Sequence, residues 1–392
     1  MRPAPLRDIL VPLLAGAAAL VVVHSLGRFA FPPLLPHLLA DGLLNLEQGA
    51  RVATWNYIGY LLGALLALAL TVPSRLQRGL ALALLVNAFS TLAHGFTDNH
   101  LALLWLRLIN GVGNGVVFVL APALLLEWLS ARGRAGLSGL VYFGFAAGML
   151  VANWLANAPA NWLSGPSRWL PMAALALPLA LASAWLLARL EATPPKVNQA
   201  NAPSSRLFDR ASTPLFLAYA GAGLGYILPM TFLPTLAIEH LPAGHALIAG
   251  TWRWTAIACM GGILLWNYLG ARLGDLPVLR ATYAAQALGA AAPLIWPGAV
   301  GVTLCAVLIG GSFVGTVLLT QRVARAFQPH QGPRLSAALI ALYSVGQLAG
   351  PWLAELWLAR GGTLTQSFAF GAAALVWGLL WASLTPSLRN TR

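Results

Sequence analysis

Three arginines lie deep inside apolar stretches of this chain: Arg28, Arg107 and Arg253. If these stretches cross a membrane, a charge at their centre costs at least ~2.5 kcal/mol, so each arginine must face a cavity or a partner. Two interpretations stay open. The guanidinium groups line a positively charged site for an anionic group, or each one hydrogen-bonds backbone carbonyls at a helix break and locks the fold.

Two residues could carry a proton beside these cations. His24 lies one helical turn before Arg28, so the two side chains share a helix face, and an imidazole titrates near neutral pH. Glu355 is the acid that we expect to be buried, because it lies inside a late apolar stretch. A hydrogen-bonded core imidazole and an interface carboxylate remain the alternative interpretations of these two residues.

Uncharged polar residues also occur at helical spacing inside apolar stretches. Asn56 and Tyr60 share one helix face, and Asn110 and Asn114 extend the face that carries Arg107. Polar side chains that share a face within the membrane indicate either the lining of a cavity or hydrogen bonds between helices.

The elements that must position these residues are membrane-spanning helices. Apolar residues make up 59% of the 392-residue chain and charged residues 8%, whereas a soluble domain carries roughly 25% charged residues. A span needs about 20 apolar residues, which allows about twelve spans here. The predicted spans are 9–39, 48–71, 79–97, 100–128, 134–158, 168–190, 213–239, 245–270, 277–296, 299–326, 334–359 and 364–385.

The basic residues indicate orientation, and not nucleic-acid binding, although the net charge is +13. Most of them fall in alternate loops, and Arg51, Arg168 and Arg360 are the exceptions. This bias predicts a multi-pass protein of the bacterial inner membrane with both termini in the cytoplasm. We therefore expect contact with membrane lipids and none with nucleic acid.

The chain divides at a polar stretch, 191–212, which is rich in Pro, Asn and Ser and reads as a cytoplasmic linker. The flanking halves, 1–190 and 213–392, share motifs at a shift of about 198 residues; for example, the Leu-Gly pair at 26–27 recurs at 224–225. Two parallel six-helix bundles related in this way are typical of major facilitator transporters.

Four stretches resemble the YbfB/YjiJ family of bacterial major facilitator transporters: GRFAFPPLLP at 27–36, NYIGYLLGALLA at 56–67, GLGYILPMTFLP at 223–234 and GQLAGPWLAE at 346–355. The resemblance implies an all-α membrane fold of twelve helices in two pseudo-symmetric bundles, and a transport role. The Gly-Pro signature of drug antiporters is absent from span 5, which weakens an assignment as a drug antiporter.

In the family fold, spans 1, 4, 7 and 10 line the cavity, and this implies which residues contact the solute. The binding residues predicted from these spans are Arg28, Arg107, Asn110, Asn114, Tyr226 and Thr316. Polar residues of spans 2, 8 and 11 complete the predicted set: Asn56, Tyr60, Arg253 and Gln347. The predicted proton carriers are His24 and Glu355.

Together these patterns predict a secondary active transporter that moves a small solute, in particular an organic anion, by alternating access with proton coupling. Uniport, anion exchange, a lipid or amphiphile translocase and a multidrug-type exporter remain alternatives. The chain has no nucleotide-binding Gly-x-x-x-x-Gly-Lys-Ser/Thr loop and no catalytic cluster. We therefore expect neither ATP hydrolysis nor enzymatic activity, no cofactor or metal, and a monomer.

Overall fold

The computed structural model describes residues 6–70, 73–134, 137, 140–158, 163–190, 209–328 and 332–386. Over these ranges the chain is helical and contains no β-strand. It divides into two compact units, Met1–Pro195 and Lys196–Arg392. Residues 191–208 of the predicted linker lie outside the described ranges, so the linker and the domain boundaries stay predictions.

The N-terminal unit begins with a broken helix and continues with regular ones. Its elements are α1 (Leu6–Leu20), a π-helical segment (Val21–Arg28), α2 (Phe31–Ala40), α3 (Leu46–Ala69), α4 (Pro73–His94), α5 (His100–Ala131), α6 (Val141–Ala156), a 3₁₀ turn (Gly165–Trp169) and α7 (Leu170–Ala188).

The C-terminal unit contains six helices in its described part. They are α8 (Thr213–His240), α9 (Ala246–Leu273), α10 (Asp275–Ile295), α11 (Ala299–Phe327), α12 (Gly332–Leu358) and α13 (Leu364–Leu384).

Nine helical stretches of the described residues are long and apolar enough to cross a membrane. One of them is the first span, Asp8–Ala40, which includes α1, the π-helical segment and α2. Helix α6 is apolar but shorter. The chain is therefore an all-helical, multi-pass membrane protein, and the count of twelve spans remains a prediction.

The first span, predicted at 9–39, extends over Asp8–Ala40 and is interrupted in its middle. Its middle is π-helical, with the amide of Phe29 donating to the carbonyl of His24 over 2.8 Å. Pro32 and Pro33 have no N–H group, so the carbonyls five residues earlier, on Gly27 and Arg28, receive no π-type hydrogen bond from them. The two prolines thus explain why the helix breaks directly after Arg28.

Helices α3 and α5 touch through their backbones. A Cβ on Gly63 would lie 2.1 Å from the carbonyl oxygen of Val112, and a Cβ on Gly111 would lie 2.1 Å from that of Asn56. Only glycine fits at such a distance, because small residues allow membrane helices to approach closely. This contact places the polar residues of α3 directly against those of α5.

A clasp of polar groups ties the end of α2 to the 3₁₀ turn. Arg168 donates to both carboxylate oxygens of Asp41, and Oδ2 of this carboxylate also accepts the amide of Gly165 at 2.7 Å. The hydrogen bonds from the Arg168 guanidinium lower the pKa of Asp41, and the Gly165 amide lowers it further. His37 and Asn157 add a contact of 3.2 Å between α2 and the end of α6.

Two adjacent glycines of α9 give a matched test of helix packing. A Cβ on Gly262 would lie 1.8 Å from the carbonyl oxygen of Gly311, whereas a Cβ on Gly261 would meet nothing within 4 Å. We expect Gly262→Ala to lower the free energy of unfolding by about 1–3 kcal/mol through overpacking. Gly261→Ala should raise it by roughly 0.5–1 kcal/mol, because alanine favours a helix. Equal melting temperatures in detergent would contradict the close contact of α9 with α11.

The clasp predicts a pH-dependent stability. Because the pKa of Asp41 is lowered in the folded protein, its contribution is present above the unfolded carboxyl pKa of about 3.9 and is lost as the pH falls below it. The melting-temperature difference between the wild type and Asp41→Asn should therefore be largest near neutral pH and shrink below about pH 4. Glu47→Gln, which removes the more exposed ion pair with Arg51, is the control and should change stability by less than about 1 kcal/mol. A difference that is independent of pH would argue against the clasp.

Candidate functional site

Three charged side chains are buried in the part of the chain that the structure describes: Arg28, Arg107 and Arg168. All of them lie in the N-terminal unit, and the described residues of the C-terminal unit bury no charged side chain. Arg168 is paired with Asp41. The site therefore has to be understood from the two other arginines, for which the described residues provide no carboxylate partner.

Arg28 is the last residue of the π-helical segment and is only 2% exposed. Among the residues that the structure describes, none of its three guanidinium nitrogens finds a hydrogen-bond partner. Its Cζ atom lies 4.5 Å from the ring centre of Tyr60, 4.6 Å from that of Tyr57 and 5.2 Å from that of Phe29. Each such contact contributes about 0.5–2 kcal/mol, whereas burying an unpaired ion costs several kcal/mol. An anion placed here would remove that cost.

Arg107, the eighth residue of α5, is buried equally but is bonded. Its Nη1 donates to the carbonyl oxygen of Gly27 over 2.8 Å, and its Cζ lies 5.0 Å from the ring centre of Phe31 and 5.5 Å from that of Trp169. Gly27 carries one of the carbonyls that the prolines of α2 leave without a π-type partner. The geometry of Arg107 thus favours the second interpretation from the sequence, a guanidinium that locks a helix break.

His24 has a defined tautomer. Asn114 donates from Nδ2 to the carbonyl oxygen of Val23 over 2.6 Å, so its Oδ1 must face the Nδ1 of His24, 2.8 Å away. An amide oxygen only accepts, which makes Nδ1 the protonated nitrogen of the neutral ring. Nε2 therefore holds the lone pair and is the atom that a second proton would occupy.

His24 and Arg28 belong to one aromatic cluster. The ring of His24 stacks on Phe118 at 4.3 Å between centres and makes edge contacts with Phe29 at 5.4 Å and Tyr60 at 6.1 Å. Phe29 and Tyr60 also face the guanidinium of Arg28. The sequence-predicted pair is thus brought together through two shared rings, and Tyr60 is one of the predicted binding residues.

Asn56 and Asn110 take part in hydrogen bonds between helices. Asn56 donates from Nδ2 to the carbonyl oxygen of Arg107 over 3.0 Å, and Asn87 donates to that of Asn110 over 2.8 Å. Asn110 in turn donates to the hydroxyl of Thr91 over 3.0 Å. These bonds connect α3, α4 and α5. They support a packing role for Asn56 and Asn110, whose predicted contact with a solute is untested.

The predicted residues of the C-terminal unit fall into separate places. Gln347 donates to the hydroxyl of Tyr226, whose ring stacks on Phe313 at 5.4 Å and on Tyr343 at 5.3 Å. Thr316 donates to the hydroxyl of Thr282 on α10 over 2.8 Å and accepts from Gln286. Arg253 is exposed, with its Cζ 5.8 Å from the ring centre of Trp254, and Glu355 is half-buried near the end of α12.

The structure adds residues that the sequence analysis missed: Tyr57, Phe29, Phe118 and Asn87. A signal existed for some of them. Tyr57 lies three residues before Tyr60, and Phe118 lies four residues after Asn114, so both share a helix face with a residue that the sequence analysis selected. Asn87 is an uncharged polar residue inside an apolar stretch, which is a candidate for a bond between helices.

Comparisons with known proteins place the fold. The profile of a family described as "Uncharacterised MFS-type transporter YbfB" matches residues 20–383. No curated protein matches the chain in sequence. A crystal structure of a mutant of the nucleoside transporter NupG aligns with a TM-score of 0.71 and 15% identity, covering 96% of this chain and 100% of that one. The Major Facilitator Superfamily transporter FucP, in the outward conformation, aligns with a TM-score of 0.64 and 16% identity, covering 97% and 100%. At these identities the likeness is one of fold alone.

The two buried arginines predict opposite effects on stability. Arg28→Met removes an unpaired buried charge, so we expect the ligand-free protein to become more stable, by on the order of 1 kcal/mol or more. Arg107→Met leaves the carbonyl of Gly27 without its donor, so the protein should lose about 1.5–3 kcal/mol. Thermal unfolding in detergent compares the two variants. If Arg28→Met destabilises the protein as much as Arg107→Met does, the guanidinium of Arg28 is paired and the anion site is wrong.

Proposed function

We propose, from the premise that this chain belongs to the family of the uncharacterised MFS-type transporter YbfB, that it moves a small organic anion across the membrane by alternating access, coupled to protons. Family membership makes the chain a multi-pass secondary transporter of small solutes and not an enzyme. The proposal adds the anionic solute and the coupling to protons. It also adds the location in the bacterial inner membrane, with both termini in the cytoplasm, and the monomeric state.

One observation carries the choice of an anion. The guanidinium of Arg28 is buried against aromatic faces and has no hydrogen-bond partner in the described part of the chain. A guanidinium presents five donors in a planar fork that matches a carboxylate. An anion that binds there supplies the missing acceptors and neutralises the charge. Its binding is therefore favoured by removal of the penalty for burying an unpaired guanidinium.

Proton coupling is assigned to Nε2 of His24. Protonation would place a second positive charge in the aromatic cluster that holds Arg28, and so would strengthen binding of an anion. By linkage, the bound anion would strengthen binding of the proton by the same factor. The two would then load together, which is the thermodynamic requirement for symport. Glu355 remains the second candidate for a proton carrier.

The other predicted residues receive different roles in this proposal. Arg107 positions the backbone before Arg28, and Asn114 fixes the tautomer of His24. Tyr60 contacts both Arg28 and His24. Solute contacts are retained as predictions for the rest, which are Asn56, Asn110, Tyr226, Arg253, Thr316 and Gln347.

Transport by purified protein in proteoliposomes tests the proposal. We would measure uptake of radiolabelled lactate, succinate, benzoate, uridine and fucose, with and without an imposed pH gradient that is alkaline inside. We expect uptake of at least one of the three anions, and accumulation when the gradient is present. Arg28→Met should abolish this uptake. The uptake that remains in this variant measures the passive leak of undissociated acids through the bilayer. Gly261→Ala, at an exposed position with open space around it, is the matched control and should transport normally.

The role of His24 is separated from that of Arg28 by a second variant. His24→Gln should still exchange the anion when no gradient is imposed, because Arg28 is intact, but should lose gradient-driven accumulation. Accumulation by His24→Gln at the wild-type rate would reject this residue as the proton carrier. If the protein takes up only uridine or fucose, and Arg28→Met does so equally well, then the assignment of an anionic solute is wrong. If uptake by the wild type does not depend on the pH gradient, then proton coupling is wrong.

A further inference from the structure

We infer that the anion is a monocarboxylate with an apolar body, and that Arg28 with Tyr57, Tyr60 and Phe29 forms its carboxylate-binding site. This inference rests on the proposed function and narrows the class of solute. It excludes dianions, phosphate esters and polyhydroxylated acids as good ligands.

The first step is the number of charges that the site can neutralise. Arg107 already donates to the carbonyl oxygen of Gly27 and lies over two aromatic rings. Arg168 is neutralised by Asp41. In the described part of the molecule, Arg28 is the buried cation that has no hydrogen-bond partner at any guanidinium nitrogen. A single carboxylate can therefore take up the free donors of Arg28, whereas a second one would find, among the described residues, no other buried guanidinium with all of its nitrogens free.

The second step is the surroundings of the guanidinium. The groups next to Arg28 are the faces of three aromatic rings, and those around His24 are Phe118, Phe145 and the shared rings of Phe29 and Tyr60. Rings of this kind favour an apolar or aromatic group, because aromatic pairs contribute binding energy beyond that of the area they bury.

The third step is the supply of hydrogen-bond donors. The side-chain amides of Asn56, Asn110 and Asn114 donate to partners inside the N-terminal unit. The hydroxyl of Ser25 donates to the carbonyl oxygen of Phe145 over 2.8 Å. A sugar acid would need hydrogen-bond partners for each of its hydroxyl groups, because a hydroxyl that is buried without a partner weakens binding. An apolar body has no such requirement.

Binding of four types of probe to the purified full-length protein tests the class. Benzoate and cinnamate carry one charge on an apolar body, at two lengths. Phthalate adds a second charge, gluconate replaces the body with hydroxyl groups, and benzamide removes the charge while it keeps the ring. At about pH 8 all of the acids are ionised. We expect benzoate or cinnamate to bind at least about tenfold more tightly than each of the other three in calorimetric titrations.

Variants of the site connect the selectivity to named residues. Arg28→Met should lose binding of benzoate and cinnamate, and Arg28→Lys should retain part of it, because the charge remains but the fork is lost. Tyr57→Leu should weaken binding about three- to tenfold, provided that its melting curve shows a folded protein.

The outcomes separate this inference from the proposed function. If phthalate or gluconate binds as tightly as benzoate, and Arg28→Met abolishes that binding, then the class is wrong and the anion transporter stands. If neither benzoate nor cinnamate binds, the class is also overturned. If benzamide binds as tightly as benzoate and Arg28→Met weakens neither, then Arg28 is not an anion ligand and the proposed function fails with the inference.

Discussion

Removing a guanidinium group from water is costly, and in the described residues the N-terminal unit buries two such groups that have no carboxylate partner. The protein treats them differently. Arg107 donates to the carbonyl of Gly27, which the adjacent prolines have left open, so the break in the helix provides an acceptor for a buried guanidinium. Among the described residues, Arg28 meets ring faces, which offset part of the penalty, and no hydrogen-bond acceptor. The broken first span, the position of α5 and the aromatic cluster all follow from how these two charges are accommodated.

Backbone contact makes this arrangement rigid. Because Gly63 and Gly111 bring α3 and α5 together at the distance of touching main chains, Asn56 reaches the carbonyl of Arg107 without any intervening side chain. The amide network then extends to α4 through Asn87. Polar residues within a membrane are expensive unless they bond to each other, so this network gives the three helices one preferred register. Arg107, and with it the peptide before Arg28, is held by that register.

Much of this architecture could be predicted from the sequence, because hydrocarbon selects strongly against charge. Apolar stretches gave the helices, and the few polar residues within them included Arg28, Arg107, His24 and Asn114. Helical spacing indicates which residues share a face, but it contains no distances between helices. It could not show that Arg107 bonds to Gly27 while Arg28 stays without an acceptor, since that difference depends on how α5 packs against the first span. Pro32 and Pro33 were a local signal for the break after Arg28. The uniformly apolar character of the segment led to its prediction as one span.

The π-helical segment from Val21 to Arg28 has more residues per turn than the α-helices on either side of it. Were this segment to adopt ordinary α-helical spacing, about 3.6 residues per turn, its later side chains would rotate about the helix axis relative to α1. Arg28 is the last residue of the segment and would rotate furthest within it, away from Tyr57 and Tyr60, which belong to α3. A rearrangement of main-chain hydrogen bonds in one span would thus be enough to change the direction in which this cation points.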